Sequence, residues 1–315
     1  MASFLVTGGA GFIGSNLVEE LLARGEDVRV LDDFSTGRRK VLEPHLDRIK
    51  VFEGSMVDLQ LVRRAVEGVD YVLHQAALPS VPKSIAFPVE TNAANVTGTL
   101  NVLVAARDAK VRRLVYAASS SAYGDTPELP KRESIASKPL SPYAIQKLAG
   151  ELYCRVFYET YGLETVALRY FNIFGPRQDP TSFYSAVIPK FIRSIQAGTP
   201  PTIYGDGRQS RDFTYVDNVV AANLAATAAS SACAGKVVNI ACGERIDLLE
   251  LVRVINEVLG TNVAPVHAEP RIGDVKHSHA DIHLARELIG YEPRVRFREG
   301  IKKTIAWYDD NKAYW

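Results

Sequence analysis

The first half of the 315-residue chain alternates between short apolar runs and longer amphipathic stretches. The apolar runs predict β-strands at Phe4–Thr7, Val28–Asp32, Lys50–Glu53, Tyr71–Gln75, Leu114–Ser119 and Thr165–Tyr170. The stretches between them predict helices at Ser15–Arg24, Leu59–Glu67, Asn92–Ala109 and Pro142–Tyr161. Alternation of helices with continuously apolar strands is typical of a parallel sheet covered on both faces. We therefore predict an α/β fold built on a doubly wound parallel sheet.

The pattern loosens after about residue 175, where Pro and Gly become frequent, as in "FGPRQDPTS", "AGTPPTIYGDG" and "APVHAEPRIGD". Such punctuation is typical of a smaller, loop-rich domain that supplies a ligand pocket. Residues 213–241 again resemble a helix followed by a strand. We therefore expect one domain at residues 1–175, rejoined by about 213–241, and a second, mainly ligand-binding domain at 176–315.

Composition narrows the classes of partner. A net charge of +1 gives no reason to expect nucleic acid or an anionic membrane surface. Cys154, Cys233 and Cys242 stand far apart, without the paired spacing of a disulfide framework or a zinc site. The opening stretch "ASFLVTGGAG" has no basic segment followed by a cleavable apolar one. These features predict a cytoplasmic protein.

The stretch "TGGAGFIG" at residues 7–14 follows a predicted strand and precedes a predicted helix. Gly9, Gly11 and Gly14 make the spacing G-x-G-x-x-G, and Gly8, Gly11 and Gly14 make an overlapping G-x-x-G-x-x-G. Gly9 and Gly11 permit a tight turn and a close approach of phosphate, while Gly14 lets the helix pack near the strand. The helix N-terminus then offers N–H groups to a pyrophosphate. This loop predicts a dinucleotide site.

The identity of the dinucleotide depends on Asp32, which ends the next predicted strand, 21 residues after Gly11. A carboxylate there accepts hydrogen bonds from ribose hydroxyls. Because Asp32 and Asp33 would repel a 2′-phosphate, we favour NAD over NADP. Asp32 as a simple turn residue is the alternative. Arg38 and Arg39 could pair with a 2′-phosphate or lie in a solvated loop.

The stretch "SPYAIQK" carries candidate catalytic residues at the start of a predicted helix, with Ser141 as N-cap and Pro142 as first residue. Four-residue spacing places Tyr143 and Lys147 on one helix face. A nearby ammonium and a nicotinamide cation both favour the phenolate, which lowers a phenol pKa that is ordinarily about 10. Tyr143 is therefore a candidate base. A Tyr/Lys pair alone also occurs on solvated faces, but Ser119 in "AASSSAYG" ends a strand where such sheets bind ligands.

With these motifs in place, the chain resembles the extended short-chain dehydrogenase/reductase family over essentially its whole length, and within it the nucleotide-sugar 4-epimerases. The matching elements are TGGAGFIG, LDDFSTG, GSMVDL, HQAAL, NAANVTGT, SSSAYG, SPYAIQK, LRYFNIFGPRQDP, YGDGRQSRDFTYVDN and RIGDV. The resemblance implies a Rossmann-type sheet with a smaller C-terminal substrate-binding domain, retained NAD and a UDP-sugar substrate. It also implies inversion at C4 through a transient 4-keto sugar, and a homodimer in which the helices Asn92–Ala109 and Pro142–Tyr161 pair. From the sequence alone, the apolar faces of these helices could also be buried within the subunit.

The resemblance assigns residues to three groups. The catalytic group is Ser119, Tyr143 and Lys147. The cofactor-binding group is Gly8, Gly11, Phe12, Ile13, Gly14, Asp32, Asp33, Ser35, Thr36, Gly37, Asp58 and Asn95, together with Tyr143 and Lys147. The substrate-binding group is Ser120, Ser121, Asn172, Gln178, Ala186, Val187, Tyr204, Arg211, Arg271, Asp274 and Ser278.

The resemblance also bears on the reaction and the sugar. Related decarboxylases and dehydratases carry an acid, and ring 3,5-epimerases a Cys, where this chain has Ser121. The position four residues after Asp274 gates space beside the sugar, and the small Ser278 there implies that N-acetyl groups are admitted. Pro79 departs from the Gly that the resemblance implies for the epimerases acting on UDP-N-acetylhexosamines. We therefore favour UDP-GlcNAc/UDP-GalNAc, with UDP-Glc/UDP-Gal also accepted.

Other interpretations remain open at this point. They are a UDP-glucose 4-epimerase only, a UDP-glucuronate 4-epimerase or decarboxylase, and a non-catalytic NAD-binding protein. A uronate substrate is one of these alternatives because the cations Arg177 and Lys190 lie near the predicted sugar pocket in the sequence. We expect no metal, because His277, His279 and His283 have a spacing that suits no common site.

Overall fold

A parallel sheet forms the centre of the molecule in the computed structural model, which describes residues 1–179, 187–269 and 276–312. Within these residues the strands are β1 Ser3–Thr7, β2 Asp27–Asp32, β3 Ile49–Glu53, β4 Tyr71–His74, β5 Arg113–Ser119, β6 Glu164–Tyr170, β7 Ile173–Phe174, β8 Thr202–Tyr204, β9 Ser210–Arg211, β10 Thr214–Tyr215, β11 Lys236–Ile240, β12 Ile246–Asp247 and β13 Val266–Ala268. All six predicted strands are present, with ends that differ by at most one residue.

The central sheet has seven strands in the order β11-β6-β5-β4-β1-β2-β3, and every pair is parallel. From β1 the chain builds outward to β3 on one side, and from β4 outward to β6 on the other. In such sheets, ligands bind beyond the carboxyl ends of the strands at the point where the order reverses. Here that point lies between Thr7, which ends β1, and His74, which ends β4.

Helices cover both faces of the sheet and build a second region beside it. The described helices are α1 Phe12–Ala23, α2 Leu59–Val66, α3 Val81–Ala86, α4 Pro88–Asn92, α5 Gly98–Asp108, α6 Pro142–Tyr161, α7 Val187–Gln196, α8 Val216–Ala228, α9 Leu248–Leu259, α10 His283–Ile289 and α11 Phe297–Asp310. No described helix is long and apolar enough to cross a membrane.

Three buried clusters hold these layers together. Successive side chains of a strand face opposite sides, so Val6 joins the cluster under α1, α8 and α10, whereas Leu5 joins the cluster under α2, α5 and α6. A third cluster, rich in Phe and Ile, packs α7, α9 and α11 together. Removing such apolar surface from water is the main stabilising contribution to the fold.

The segment at residues 213–241 crosses back from the second region to the central sheet. α8 packs on the sheet, and β11 then pairs in parallel with β6, with Lys236 opposite Val166. The central sheet therefore contains chain from both sides of the loop-rich segment.

The helix predicted at Asn92–Ala109 differs in detail. It starts earlier, because Pro88 supplies the fixed φ that suits the first turn of α4. A wider π-helical turn at Ala93–Thr97 then separates α4 from α5. Such turns often mark functional sites, and this one contains Asn95, one of the predicted cofactor residues.

Candidate active site

The glycine-rich loop turns sharply at the end of β1. Gly8 has a φ of +70°, and a Cβ there would lie 2.8 Å from the backbone of Ala76. The tight turn is therefore made by Gly8, rather than by Gly9 and Gly11 as the first of the two spacings predicts. Gly9 is required for a different reason, since its Cβ would lie 2.7 Å from Val30.

Gly14 lets α1 begin close against this turn. A Cβ on Gly14 would lie 2.0 Å from the Gly8 carbonyl oxygen, so the contact is with the loop rather than with the strand. α1 begins at Phe12 after Gly11, and no side chain caps its first turn. The N–H groups of Phe12, Ile13 and Gly14 thus open the helix beside the loop, which suits a pyrophosphate.

Asp32 lies beside the loop with both carboxylate oxygens engaged by backbone. The Ala10 N–H donates to Oδ2 at 2.8 Å, and the Phe34 N–H donates to Oδ1 at 2.8 Å. Burial raises the pKa of Asp32, and these two hydrogen bonds oppose the rise. Each carboxylate oxygen has a further lone pair, so Asp32 can still accept from ribose hydroxyls.

The segment after Asp32 folds back over the loop. Asp33 accepts hydrogen bonds from both the backbone N–H and the hydroxyl of Ser35. Gly37 passes so close to Ala10 that a Cβ would lie 2.8 Å from the Ala10 side chain. Thr36 lies between Ser35 and Gly37 in this loop. Arg38 pairs with Asp179, and Arg39 pairs with Glu53.

Asp58 and Asn95 occupy different environments. Asp58 is exposed and caps α2, where it accepts from the N–H groups of Gln60 and Leu61. Asn95 is 1% exposed, and its amide bonds to both the N–H and the carbonyl of Leu78 and to Gln146. Asn95 therefore anchors the loop that follows β4.

The predicted catalytic residues come together at the carboxyl end of β5. Ser141 caps α6 through the Ala144 N–H, and Pro142 is the first helical residue, which confirms that part of the prediction. Ser119 ends β5, and Tyr143 is the second residue of α6, which packs on β5. Burial raises the pKa of Tyr143, and the Ser119 side chain opposes that rise.

Ser120 and Ser121 follow Ser119 in a short helical turn. The Ser121 hydroxyl donates to Ser119 Oγ at 2.8 Å, and the Ser121 N–H donates to the same atom at 3.2 Å. These two hydrogen bonds hold the Ser119 side chain within its own turn. The position where related dehydratases carry an acid is thus a hydroxyl bound to Ser119.

Lys147 is buried one turn after Tyr143. Its Nζ donates to the Ala117 carbonyl at 2.8 Å and lies 5.1 Å from the centre of the Tyr116 ring. Burial lowers the pKa of Lys147 to about 8, while Glu151 opposes the fall. His74 lies nearby, bonded to Thr7 and Thr99, and burial lowers its pKa to about 3. His74 is therefore neutral at ordinary pH.

A cavity of about 300 Å³ opens within the second region, lined by residues of β7, α7, β8 and β9 and of the loops beside them. Four predicted substrate residues line it: Asn172, Val187, Tyr204 and Arg211. Apolar walls come from Phe174, Phe191 and Phe213, and Lys190 adds a second cation beside Arg211. An apolar cleft with a few polar groups and cations suits a nucleotide with phosphates.

Ser278 lies on the segment that bridges to β9, whose Arg211 lines this cavity, but Ser278 is not itself one of the lining residues. Its N–H donates to the Ser210 carbonyl at 2.9 Å, and His277 Nδ1 lies 2.9 Å from Ser210 Oγ. Burial and the nearby cations Arg245, Lys276 and Arg211 lower the pKa of His277. The surroundings are therefore positive, which favours an anion. The described His, Cys, Asp and Glu side chains form no group that could hold a metal ion.

Gln178 belongs to the loop after β7. Its side-chain Nε2 donates to the Ile173 carbonyl at 3.1 Å, and its backbone carbonyl accepts from the Tyr308 hydroxyl. Ala186, Arg271 and Asp274 lie outside the described residues.

Sequence reasoning missed several buried polar residues around the site. Asp212 is fully buried and accepts from the N–H groups of Cys242, Gly243 and Ala280, and burial raises its pKa to about 7. Asn239 binds Tyr123, Lys131 and Asp281. Other missed residues are His74, Gln146, Glu151 and Arg169. A signal was available, since Arg169 and Asn239 interrupt the apolar runs "VALRYF" and "VVNIA".

Comparison with known proteins gives the following likenesses. Residues 4–241 match the NAD dependent epimerase/dehydratase family. The chain is 37% identical over 309 residues to a putative UDP-glucose 4-epimerase of Methanocaldococcus jannaschii, covering 98% of each chain.

Two solved structures share the fold over nearly the whole chain. One is a UDP-N-acetylglucosamine 4-epimerase from Methanobrevibacter ruminantium in complex with UDP-N-acetylmuramic acid, with TM-score 0.93, 38% identity and 98% of each chain covered. The other is a UDP-glucose 4-epimerase from Thermotoga maritima with UDP-glucose, with TM-score 0.93, 35% identity, and 98% and 99% covered.

Proposed function

The chain belongs to the NAD dependent epimerase/dehydratase family, and we propose that it is a UDP-sugar 4-epimerase acting on UDP-GlcNAc and UDP-GalNAc. The observation that carries the proposal is the packing of α6 on β5, which places Tyr143 and Lys147 at the strand that ends in Ser119, with Lys147 Nζ bonded to the Ala117 carbonyl at 2.8 Å. A base poised beside a dinucleotide loop suits removal of a proton from a sugar hydroxyl.

The loop between β1 and α1 fits the cofactor. Gly8 and Gly14 let the turn lie against Ala76 and α1 lie against the turn more closely than a Cβ would allow, and the first turn of α1 has no side-chain cap. Asp32 is placed to accept from ribose hydroxyls. Bound NAD supplies a reversible hydride acceptor, so the net reaction consumes no oxidant. The relatives' NAD dependence supports this assignment.

The chain's own residues hold and move the proton. Tyr143 as phenolate takes the proton from the sugar 4-hydroxyl, and Ser119 donates a hydrogen bond that stabilises the phenolate. Lys147 supplies a positive charge one turn away. The proton returns from Tyr143 to the 4-oxygen once the keto sugar has presented its other face, which inverts C4.

The cavity beside β8 and β9 suits the nucleotide end of the substrate. Arg211 and Lys190 line it together with apolar side chains. Arg245 and Lys276 add positive charge near His277. A diphosphate is the ligand group that this combination of cations favours.

The preference for N-acetylated sugars rests on Ser278. Ser278 lies on the segment bonded to β9, and β9 supplies Arg211 to the cavity. The relatives do not separate the two sugars, since the two similar structures include a UDP-N-acetylglucosamine and a UDP-glucose 4-epimerase at 38% and 35% identity. We infer from the resemblance that a small residue here admits the N-acetyl group.

We also propose that the chain forms a homodimer through α6. Ile145, Leu152 and Val156 are 57%, 47% and 41% exposed, and their spacing places them on one stripe of that helix. Phe87 and Val89 add exposed apolar surface in the neighbouring α4 region. Burial of such a stripe against a second copy would remove apolar surface from water.

The test of function uses the purified protein without added NAD, incubated separately with UDP-GlcNAc, UDP-Glc and UDP-GlcA. Proton NMR should show UDP-GalNAc forming from UDP-GlcNAc without any change in total nucleotide sugar. Release of CO₂ from UDP-GlcA, or consumption of NAD in proportion to product, would contradict the epimerase assignment.

Two variants at one position test the sugar preference. Ser278→Tyr should reduce turnover of UDP-GlcNAc far more than that of UDP-Glc, because the larger side chain takes the space of the acetamido group. Ser278→Ala, the matched control, should leave both turnovers close to wild type. Equal loss on both sugars in Ser278→Tyr would show that Ser278 does not select the substituent.

A further inference from the structure

A buried ion pair lies behind the catalytic face of α6. Glu151 is 2% exposed and Arg169, on β6, is 6% exposed. The Nε and Nη2 atoms of Arg169 donate to the two carboxylate oxygens of Glu151 at 2.9 and 2.7 Å. Two parallel hydrogen bonds of this kind are the strongest geometry available to an Arg–carboxylate pair.

This pair is continuous with the catalytic residues. Tyr143, Lys147 and Glu151 follow one another at four-residue intervals along α6, so they lie on one face of the helix. Arg169 is opposite Ala118 in the sheet register, beside Ser119. The guanidinium also lies over the ring of Tyr123, 4.5 Å from its centre, in the turn that follows Ser119.

Each neighbour of Lys147 can be assigned a charge. From β4, His74 is neutral, since burial lowers its pKa to about 3. From β5, Tyr116 is neutral, because burial raises its pKa well above the usual value. On α6, burial likewise raises the pKa of Cys154 and of Tyr143. Within the part of the chain that the structure describes, Glu151 is therefore the one anion whose charge opposes the fall in the pKa of Lys147.

Arg169 supports the charge of Glu151 in the same way that Glu151 supports the charge of Lys147. Burial raises the pKa of this carboxyl, and the two hydrogen bonds and the charge of Arg169 oppose that rise. Without the guanidinium, a carboxyl that is almost fully buried would favour its neutral form. The positive charge of Lys147 thus depends on Glu151, and the negative charge of Glu151 depends on Arg169.

We propose that Glu151 and Arg169 are positioning residues for the epimerase reaction, and that they keep Lys147 charged, and hence the Tyr143 phenolate stable, at the alkaline end of the working range. The proposal rests on the proposed function for the roles of Tyr143 and Lys147. It concerns residues that act through Lys147, since neither side chain reaches the substrate cavity residues described above.

The first test compares the pH dependence of kcat in wild type, Glu151→Gln and the double variant Glu151→Gln/Arg169→Gln. Glu151→Gln should move the alkaline limb to lower pH by roughly half a unit or more, since Lys147 loses an attraction and Arg169 is left unpaired. The double variant should show a smaller shift, because the unpaired cation is removed too. Glu159→Gln on the exposed side of the same helix, 61% exposed, is the matched control and should show no shift.

A second measurement does not depend on turnover. Ultraviolet difference titration, corrected with Tyr143→Phe, should show the Tyr143 phenolate forming at higher pH in Glu151→Gln than in wild type. Arg169→Gln alone should move the alkaline limb the same way, to lower pH, because a buried Glu151 without its guanidinium favours the neutral form and no longer supports the charge of Lys147. This variant keeps the test open if Glu151→Gln does not fold.

The outcomes separate the two proposals. A wild-type protein that epimerises no UDP-sugar contradicts the proposed function, while the phenolate titration still tests the ion pair. An active wild type whose Glu151→Gln profile is reduced in height but unmoved in pH, with an unchanged phenolate titration, overturns the positioning role. A shift to higher pH in Arg169→Gln alone would overturn it as well.

Discussion

Tyr143, Ser119 and Lys147 are ordinary side chains whose chemistry is changed by where the fold places them. Burial raises the pKa of Tyr143 and lowers that of Lys147 to about 8, so both shifts oppose the charged pair that the proposed reaction uses. Ser119 and Glu151 act in the other direction. The site therefore balances desolvation against a small number of specific partners.

Removing the phenol hydroxyl tests Tyr143 directly. Tyr143→Phe should lower kcat about 1,000-fold or more, because the base is lost while the ring still fills its buried place. NAD released on denaturing the variant, measured by absorbance, should equal that of wild type. Tyr161→Phe at the exposed end of α6, 51% exposed, is the matched control and should keep full activity. Loss of cofactor from Tyr143→Phe would mean that this Tyr is structural.

At the residue scale, the sequence predicts the groups that act on ligands better than the groups that support them. Tyr143 and Lys147 share a motif, and Ser119 ends a recognisable strand, so spacing alone brings them together. Arg169 and Asn239 sit within apolar runs, where periodicity predicts only a buried strand. Their partners come from other elements, and no local pattern encodes those contacts.

At the element scale, the glycine loop and α1 work as one unit. The Gly8 turn and the start of α1 meet so closely that only the absence of a Cβ at Gly14 permits the contact. Of the two overlapping glycine spacings, the structure uses G-x-x-G-x-x-G. Gly8 makes the turn, Gly11 precedes the first residue of α1, and Gly14 makes the close contact. A sequence alone fits both spacings, because φ at each glycine is decided by the fold around it.

Gly14→Ala tests this unit. The new Cβ would lie 2.0 Å from a backbone oxygen, so the loop must move and NAD affinity should fall at least about tenfold. Gly98→Ala is the matched control, since it is also a glycine at the start of a helix but its Cβ would meet the unbranched side chain of Met56, nearest at Cγ (2.5 Å), rather than a backbone oxygen. Isothermal titration of cofactor-depleted protein measures both. Unchanged affinity in Gly14→Ala would contradict the role of this contact.

Strands were easier to predict than the helices that join them. The six strands are continuous apolar runs, and each appears within one residue of its predicted ends. The helical region at residues 81–108 divides into α3, α4, a π-helical turn and α5. That division depends on Pro88 and on the contacts of Asn95 with Leu78, which lie beyond the reach of a periodic pattern.

At the scale of the whole molecule, the exposed stripe on α6 distinguishes a monomer from the proposed dimer. Leu152→Glu should convert a particle of twice 34.6 kDa into the single chain, because a charge would have to be buried at the interface. Light scattering after size exclusion measures the mass. Leu46→Glu, at a site 55% exposed and away from α6, is the control and should leave the mass unchanged. A wild-type mass of one chain would contradict the dimer.

The pairing of β11 with β6 has a consequence for how the protein is made. During synthesis, β6 emerges from the ribosome before residues 171–235, and its outer edge then has no neighbour until β11 follows. An open edge strand is a template for pairing with other chains. The central sheet thus remains incomplete on a nascent chain until much of the second region has been translated, so we expect early termination products to be prone to aggregation rather than to yield a separate nucleotide-binding half.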